Sequence, residues 1–327
     1  MPGWKSGRRI SPSFRGDRNL APCHEMSDPL RGTRPSVLKI WWLAIRPKTL
    51  SVSLAPVLVG CALAWFEERV FLWLPALVAA LAAMLIQIGT NLHNDVKDCE
   101  RGADTPERLG PSRATASGWL TAAQVKRAVA WCFGMALLLG VYLVWHGGWP
   151  IFWVGLFSLA AGLAYTGGPR PIAYSATGEL FVWVFFGVAA VMGSYYLQTG
   201  RLGWPAFVAA NMVGLLAAAV IVINNARDLE NDRKVGKNTL AVRIGLEWSR
   251  KEYAALLALP FILLPVLGCL LLAGVGIWLP LLAAPWAVLL VLRFWREAPG
   301  AAYNQLLAQT AQLQLFFSML LSLGVLL

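Results

Sequence analysis

The chain has 327 residues, of which 57% are hydrophobic and only 14% are charged, and its mean hydropathy is +0.58. This composition excludes an ordinary soluble domain, and several apolar runs exceed the roughly 18 residues that indicate a membrane-spanning helix. The formal net charge of +11 lies in short loops between apolar runs, without an aromatic-basic RNA motif. The charge therefore indicates membrane orientation, and no nucleic-acid partner is expected.

Residues 1–37 form a basic, polar segment that is rich in Gly, Pro, Ser and Arg. The segment lacks the apolar stretch of a secretory signal, and its composition predicts disorder. An internal Met26 precedes a more ordinary beginning, which favours a start at that residue over Met1. We expect the transmembrane part of the chain to comprise residues 38–327.

The remaining sequence alternates between apolar runs and short polar loops, a pattern typical of an all-α polytopic membrane protein. Proline begins or interrupts several runs, which membrane helices tolerate better than soluble ones. Nine transmembrane helices are expected, at about 50–66, 71–93, 122–145, 149–167, 178–198, 205–227, 250–273, 276–293 and 306–327.

Two clusters of acidic and amide side chains each follow an apolar run. The first, in NLHNDVKDCERGAD, contains Asn91, Asn94, Asp95, Asp98 and Asp104, and the second, in NNARDLENDRK, contains Asn224, Asp228 and Asp232. Spacings of four, seven and eight residues put each set on roughly one face of a helix. The clusters recur four spans apart, which indicates two parallel four-helix repeats and one extra helix.

Basic residues determine how these clusters are oriented. With the N-terminus inside, 26 of the 28 Lys and Arg residues lie in cytosolic segments, and only Arg69 and Arg201 lie outside. The positive-inside rule then places both clusters at the cytoplasmic face. We expect a protein that is integral to the cytoplasmic (inner) membrane, with membrane lipid around it and its active site facing the cytoplasm.

Carboxylates at the mouth of a membrane helix are costly unless they bind something. Mg²⁺ prefers carboxylate and amide oxygens and is usually completed by substrate phosphates, so the residues of both clusters are candidate metal ligands. Four of them are candidates for a catalytic role: Asp95, Asp98, Asp228 and Asp232. Lys48, Arg113 and Lys237 are candidates to neutralise phosphate oxygens, although positive-inside anchoring explains Lys48 equally well. The alternative is a solvated face of paired charges, but the matched spacing of the clusters favours the metal site.

The motifs also carry a family resemblance. NDVKDCERGAD resembles the first aspartate-rich motif of the UbiA superfamily of intramembrane prenyltransferases, and DLEND resembles its second, DxxxD. The resemblance spans nearly all of the chain after residue 38. Four segments are similar to the branch that uses 1,4-dihydroxy-2-naphthoate in menaquinone biosynthesis: IRPKTLSVSLAPVLVG, GADTPERLGPSRATASG, YTGGPRPIAYSATGEL and GKNTLAVRIG.

This resemblance implies Mg²⁺-dependent transfer of a polyprenyl group from its diphosphate to the naphthoate, with loss of the carboxylate, to give demethylmenaquinone. It also implies a water-poor cavity for an allylic cation and a prenyl tail that lies between helices or against lipid. The substrates are thus a polyprenyl diphosphate and an aromatic acid, and no protein partner is predicted.

In YTGGPR, Tyr165 and Arg170 match the family's central tyrosine-basic loop and are expected to bind the diphosphate. The alternative is that Tyr165 is an interfacial tyrosine and Arg170 a topology anchor.

Where many family members have a third acid in the first motif, this chain has Gly102, and Asp104 follows two residues later. The direct role of Asp104 in metal binding is therefore less well supported than that of Asp95 and Asp98.

Other functions stay open at this point. The same chemistry on 4-hydroxybenzoate, homogentisate or a glycerol-phosphate lipid is the nearest alternative. An ion-coupled transporter is a second, although the acids cluster at one face rather than at the midplane. A scaffold without activity leaves the matched spacing unexplained, and isoprenoid length depends on helix packing that the sequence does not give.

Overall fold

A computed structural model describes residues 35–104 and 109–327, and all the regular secondary structure in these ranges is helical. The basic tail was expected over residues 1–37; residues 1–34, which include the candidate start Met26, lie outside these ranges, while the first helix begins at Val37, the last residue of the expected tail. The α-helices, in chain order, are α1 (Val37–Ile45), α2 (Ser51–Glu68), α3 (Trp73–Glu100), α4 (Ala122–Thr166), α5 (Gly178–Trp183), α6 (Ala190–Thr199), α7 (Trp204–Arg227), α8 (Leu229–Lys234), α9 (Leu240–Leu271), α10 (Ala284–Arg296) and α11 (Ala302–Leu326). A π-helical segment, Val184–Ala189, joins α5 to α6, and 3₁₀ turns occupy Pro47–Thr49, Ile172–Tyr174 and Val275–Ala283.

Helix α4 consists of two arms that fold back on one another at Gly148. The backbone there has φ 70°, which glycine adopts at little cost, and Pro150 follows at the start of the second arm, where its missing N–H is tolerated. A Cβ placed on Gly162 in the second arm would lie 2.7 Å from Thr90 Oγ1 and 3.2 Å from Phe133 of the first arm. The two arms therefore lie side by side against α3.

Eight helical segments in the described ranges are long and apolar enough to cross a membrane, judged by length and composition. They confirm the expected all-α, polytopic class. The expected count of nine spans is not confirmed, since Ala122–Thr166 counts as one segment, and nine requires its two arms to be counted separately. The repeat organisation stays a prediction.

Helix α7 lies at the centre of the bundle. Most of its residues are buried, among them Met212, Leu216 and Ile223, and it packs against α5, α9 and α11. Large apolar side chains on other helices are exposed instead, such as Trp131 and Trp145 of α4. An apolar exterior around a packed core is what a lipid environment requires.

Two glycines bring α7 into backbone contact with the π-helical segment. A Cβ on Gly187 would lie 2.6 Å from the carbonyl oxygen of Ala210 and 2.6 Å from Gly214 Cα, and a Cβ on Gly214 would lie 2.8 Å from the carbonyl oxygen of Trp183. Small residues allow membrane helices to approach this closely. The crossing and the π-helical segment therefore occur at the same place.

Replacing Gly187 by alanine is expected to destabilise the protein by about 1–3 kcal/mol, because the added methyl group meets backbone atoms that cannot move aside. The measurement is the thermal unfolding midpoint of the detergent-solubilised protein. Gly134→Ala is the matched control, since nothing lies within 4 Å of a Cβ added to this helical glycine. Equal midpoints for the two variants would contradict the close crossing.

Candidate functional site

The two acidic clusters line one cavity of about 750 Å³. Helix α3 carries the first cluster, and the second lies on α7 and the short α8. Most of the site residues predicted from the sequence contribute to the cavity wall: Lys48, Asn91, Asn94, Asp95, Asp98, Arg113, Tyr165, Asn224, Asp228, Asp232 and Lys237. The fold thus brings together groups that are far apart in the sequence.

Two predicted site residues, Asp104 and Arg170, do not line this cavity. Arg170 is exposed in the loop after α4, whereas Arg101 contacts this loop by donating to the Gly168 carbonyl at 2.7 Å. Asp104 is buried and pairs with Arg113 Nε at 3.0 Å. The structure does not bring Arg170 to the cavity, and Asp104 contacts the cavity-lining Arg113.

Asp95 fastens the loop that follows the first cluster. Its Oδ2 accepts a hydrogen bond from the backbone N–H of Ala114 at 3.0 Å, and its Oδ1 accepts one from Thr115 at 3.1 Å. Such charge-assisted hydrogen bonds offset the cost of burying the carboxylate. One turn earlier, Asn91 donates from Nδ2 to the Ile45 carbonyl at 3.1 Å. Both residues position neighbouring backbone as well as lining the cavity.

Asp98 is held by a buried arginine. Arg113 donates from Nη2 to Asp98 Oδ2 at 2.7 Å and from Nη1 to the Asn94 carbonyl at 2.6 Å, while its Nε faces Asp104. Burial disfavours the cation, but the carboxylates of Asp98, Asp104 and Asp95 outweigh that effect and raise the pKa of Arg113 above its ordinary value. Arg113 therefore stays charged and fixes the first cluster.

The second cluster has an arginine of its own. Arg227 donates from Nε to Asp228 Oδ1 at 3.0 Å and from Nη2 to Asp228 Oδ2. Its Nη2 also reaches Asn224 Oδ1 at 3.0 Å, and its Nη1 reaches Asn304 Oδ1 at 2.8 Å. Arg227 was not predicted as a site residue, although its place beside Asp228 in NNARD was an available signal.

Lys237 joins the two clusters. Its Nζ lies 3.4 Å from Asp98 Oδ2 of the first cluster and 3.8 Å from Asp232 Oδ1 of the second. Burial, together with the nearby carboxylates of Asp228 and Asp98, raises the pKa of Asp232 to about 7, against the opposing effect of Lys237. At the polar end of the cavity, one acid from each cluster thus contacts the same lysine.

Tyr174 also belongs to the site, although no pattern in the sequence marked it. Its hydroxyl donates to Asp98 Oδ1 at 3.0 Å, and the ammonium of Lys237 lies 4.8 Å from its ring centroid. Burial raises the pKa of Tyr174 above its ordinary value, and the negative charge of the nearby Asp98 carboxylate raises it further. The tyrosine comes from a 3₁₀ turn in the loop between α4 and α5, whose path depends on tertiary packing.

A buried acid lies behind the second cluster. Glu179, at the start of α5, accepts a hydrogen bond from Asn225 Nδ2 at 2.7 Å, and Asn225 lines the cavity. The hydrogen bond determines which way the Asn225 amide faces, because its Nδ2 points to Glu179. Neither Glu179 nor Asn225 was predicted as a site residue.

Within residues 35–104 and 109–327, no group of three or more His, Cys, Asp or Glu side chains is arranged to hold a metal ion. The donors nevertheless suit a hard divalent cation, because carboxylate and amide oxygens of both clusters line the same cavity. Among the residues that the structure describes, the buried Asn94 Oδ1 has no hydrogen-bond partner. The ammonium of Lys237 contacts acids of both clusters, so one cation can reach both. In donor type and placement, these residues fit Mg²⁺.

Comparison with known proteins identifies relatives over most of the chain. The model of the UbiA prenyltransferase family matches residues 53–320. The 1,4-dihydroxy-2-naphthoate octaprenyltransferase of Escherichia coli (strain K12) is 39% identical over 293 residues, which cover 87% of this chain and 94% of the relative. The protein of the same name from Bacillus subtilis (strain 168) is 34% identical over 295 residues, which cover 90% and 94%.

A solved structure agrees in fold. The UbiA homologue from Archaeoglobus fulgidus bound to GPP and Mg²⁺ superposes with a TM-score of 0.62 and 18% identity, covering 88% of this chain and 100% of that chain. The eight apolar segments, the acidic cavity and the relatives above 30% identity all lead to the same assignment. The chain belongs to the UbiA prenyltransferase family and is an integral membrane enzyme that transfers prenyl groups.

Proposed function

We propose that the enzyme transfers a polyprenyl group from polyprenyl diphosphate to 1,4-dihydroxy-2-naphthoate in a Mg²⁺-dependent reaction, with loss of carboxylate, to give demethylmenaquinone. The observation that carries this proposal is the cavity, in which Lys237 joins two acidic clusters and apolar walls continue beyond them. The names of both bacterial relatives support the naphthoate and an octaprenyl donor. The GPP and Mg²⁺ in the archaeal homologue support the donor class and the metal.

Basic groups at the polar end are suited to a diphosphate. Arg113 and Lys237 already contact the acids of the cavity, and Lys48 and Tyr165 line its wall. Arginine and lysine are the usual partners of phosphate oxygens. We assign diphosphate binding to Lys48, Arg113, Tyr165 and Lys237. Arg227 is assigned the role of orienting the second cluster.

The proposed metal ligands are the cavity-lining oxygens of both clusters. They come from Asn91, Asn94, Asp95, Asp98, Asn224, Asp228 and Asp232. When bound, Mg²⁺ supplies a Lewis acid that withdraws charge from the leaving diphosphate and holds it in place. Asp104 is assigned a positioning role, because it holds Arg113 and does not line the cavity.

Beyond the acids, the cavity wall is lined mainly by apolar side chains. Departure of the diphosphate removes both electrons of the C–O bond and leaves an allylic cation. The ring carbon that bears the carboxylate attacks this cation, and loss of CO₂ then returns an electron pair to the ring. Phe181, Val182 and Phe185 line the cavity next to the polar end, where they keep out water that would otherwise trap the cation.

The proposed orientation places the acidic end at the cytoplasmic side of the inner membrane. Arg101, Arg113 and Lys237 lie around that end of the bundle. Arg201 lies at the other end, where it pairs with Glu68 at 3.1 Å. The end that is richer in arginine and lysine is the cytoplasmic one by the positive-inside rule.

Purified enzyme in nanodiscs, given octaprenyl diphosphate and Mg²⁺, is expected to prenylate 1,4-dihydroxy-2-naphthoate and to release CO₂. Mass spectrometry of the lipid extract measures the product. Removal of the metal with EDTA should stop turnover, and added Mg²⁺ should restore it. Product from 4-hydroxybenzoate, homogentisate or a glycerol-phosphate lipid, with none from the naphthoate, would assign the enzyme to a different branch.

Asp98→Asn and Asp228→Asn are each expected to lower kcat/KM by about 100-fold or more, because each removes a carboxylate that would hold the Mg²⁺ that neutralises the departing diphosphate. Glu230→Gln is the matched control: it lies on α8 between the second-cluster acids, its side chain is 75% exposed, and its effect should stay within about twofold. Thermal unfolding checks that all three variants fold. Full turnover by either aspartate variant would rule out a site that needs both clusters.

Asp104→Asn separates a positioning role from a ligand role. The buried Arg113 loses one of its carboxylates, so we expect about 3 kcal/mol of destabilisation in thermal unfolding without added metal. The Mg²⁺ concentration that gives half-maximal activity should not change, whereas it should rise for Asp98→Asn. A higher Mg²⁺ requirement in the Asp104 variant would instead identify this residue as a ligand.

A further inference from the structure

The segment from α5 to α6 keeps one face on the cavity for most of its length. Phe181, Phe185, Ala189, Gly193 and Leu197 all line the cavity, and the residue after each of the first four does so too. In an α-helix of 3.6 residues per turn, steps of four residues turn by about 40° each, so this stripe would drift by about 160°. An uninterrupted α-helix would therefore turn the stripe away from the cavity.

The π-helical segment Val184–Ala189 removes most of this drift. A π-turn closes i→i+5 hydrogen bonds and so accommodates one extra residue. One extra residue reduces the accumulated rotation to about 60°. The wall that begins beside the acidic clusters is thereby continued to the far end of the cavity.

The side chains along this wall change in size. Phe181 and Phe185, at the acidic end, stack with ring centroids 5.9 Å apart. Ala189 and Gly193 follow, so the middle of the wall has almost no side-chain volume. Leu197 ends the stripe. An aromatic section is thus followed by an open one.

A second glycine lines the facing wall. Gly155, on the second arm of α4, lines the same cavity, and no atom of the described part of the chain lies within 4 Å of a Cβ added to it. A Cβ added to Gly193 would meet only Val154 Cγ1, at the ordinary contact distance of 3.8 Å. Both glycines can therefore carry a side chain without disturbing the backbone, and a large one would enter the space between α4 and α6.

We propose that Gly193 and Gly155 determine which prenyl chain lengths the enzyme accepts, by keeping open a passage between the aromatic section and the far end of the cavity. Gly193 lies about 22 Å along the helix from Gly178, whose neighbourhood includes Tyr165 at the acidic end. A short prenyl tail ends before this passage, and a long tail runs through it. The inference rests on the proposed function, because it takes a prenyl diphosphate as the substrate.

The test compares geranyl and octaprenyl diphosphate as donors for wild type and Gly193→Phe, with the naphthoate as acceptor. The octaprenyl-to-geranyl ratio of kcat/KM is expected to fall by at least about tenfold in the variant. Activity with geranyl diphosphate should stay within about twofold of wild type. Gly134→Phe is the matched control, since this exposed α4 glycine does not line the cavity, and its ratio should equal that of wild type.

Gly155→Phe repeats the test from the opposite wall and replaces Gly193→Phe if that variant does not fold. An unchanged ratio in a folded variant of either glycine, with active wild type, overturns this inference and leaves the proposed function intact. Failure of the wild type with both donors overturns the proposed function, and the inference with it. A selective loss of octaprenyl transfer in both variants supports the passage.

Discussion

The contact of Lys237 with two carboxylates is the interaction on which the site depends. Asp98 lies at the end of α3 and Asp232 lies on α8, and the lysine Nζ is 3.4 Å from the first and 3.8 Å from the second. Two buried carboxylates without a cation between them would repel, and each would cost several kcal/mol of desolvation. The shared cation therefore holds the ends of two distant helices around one cavity before any substrate is present.

The other buried charges follow the same constraint. Arg113 forms ion pairs with Asp98 and Asp104, and Arg227 forms one with Asp228. Asp95 instead accepts hydrogen bonds from backbone N–H groups. Buried pairs of this kind add little net stability but fix geometry. In the proposed reaction, a diphosphate competes with the carboxylates for these cations, and Mg²⁺ competes with the cations for the carboxylates. Substrate binding is then an exchange of partners among groups that are already in place.

Properties that depend on local sequence were predictable, and properties that depend on loop paths were not. Hydropathy gave the apolar helices, and helical spacing placed Asp95 and Asp98 on one face of α3, which runs without interruption to Glu100. The short helices α1 and α8 were not predicted, because hydropathy detects only apolar runs that are long enough to span a membrane. Tyr174 reaches Asp98 from a loop, while the adjacent loop leaves Arg170 exposed; no spacing rule distinguishes these two outcomes.

The glycine crossing couples the two parts of the cavity. Gly187 lies in the π-helical segment that keeps the α5–α6 wall facing inward, and it meets Gly214 of α7 backbone to backbone. Helix α7 continues from Gly214 for about 15 Å to Asn224, where the second acidic cluster begins. Contacts between backbones cannot adjust by changing a rotamer, so the wall cannot slide along the helix that carries the acids. The distance from the proposed diphosphate end to the open section of the wall is therefore set by the backbone, and in the proposed function the side chains that project into that section select among prenyl tails.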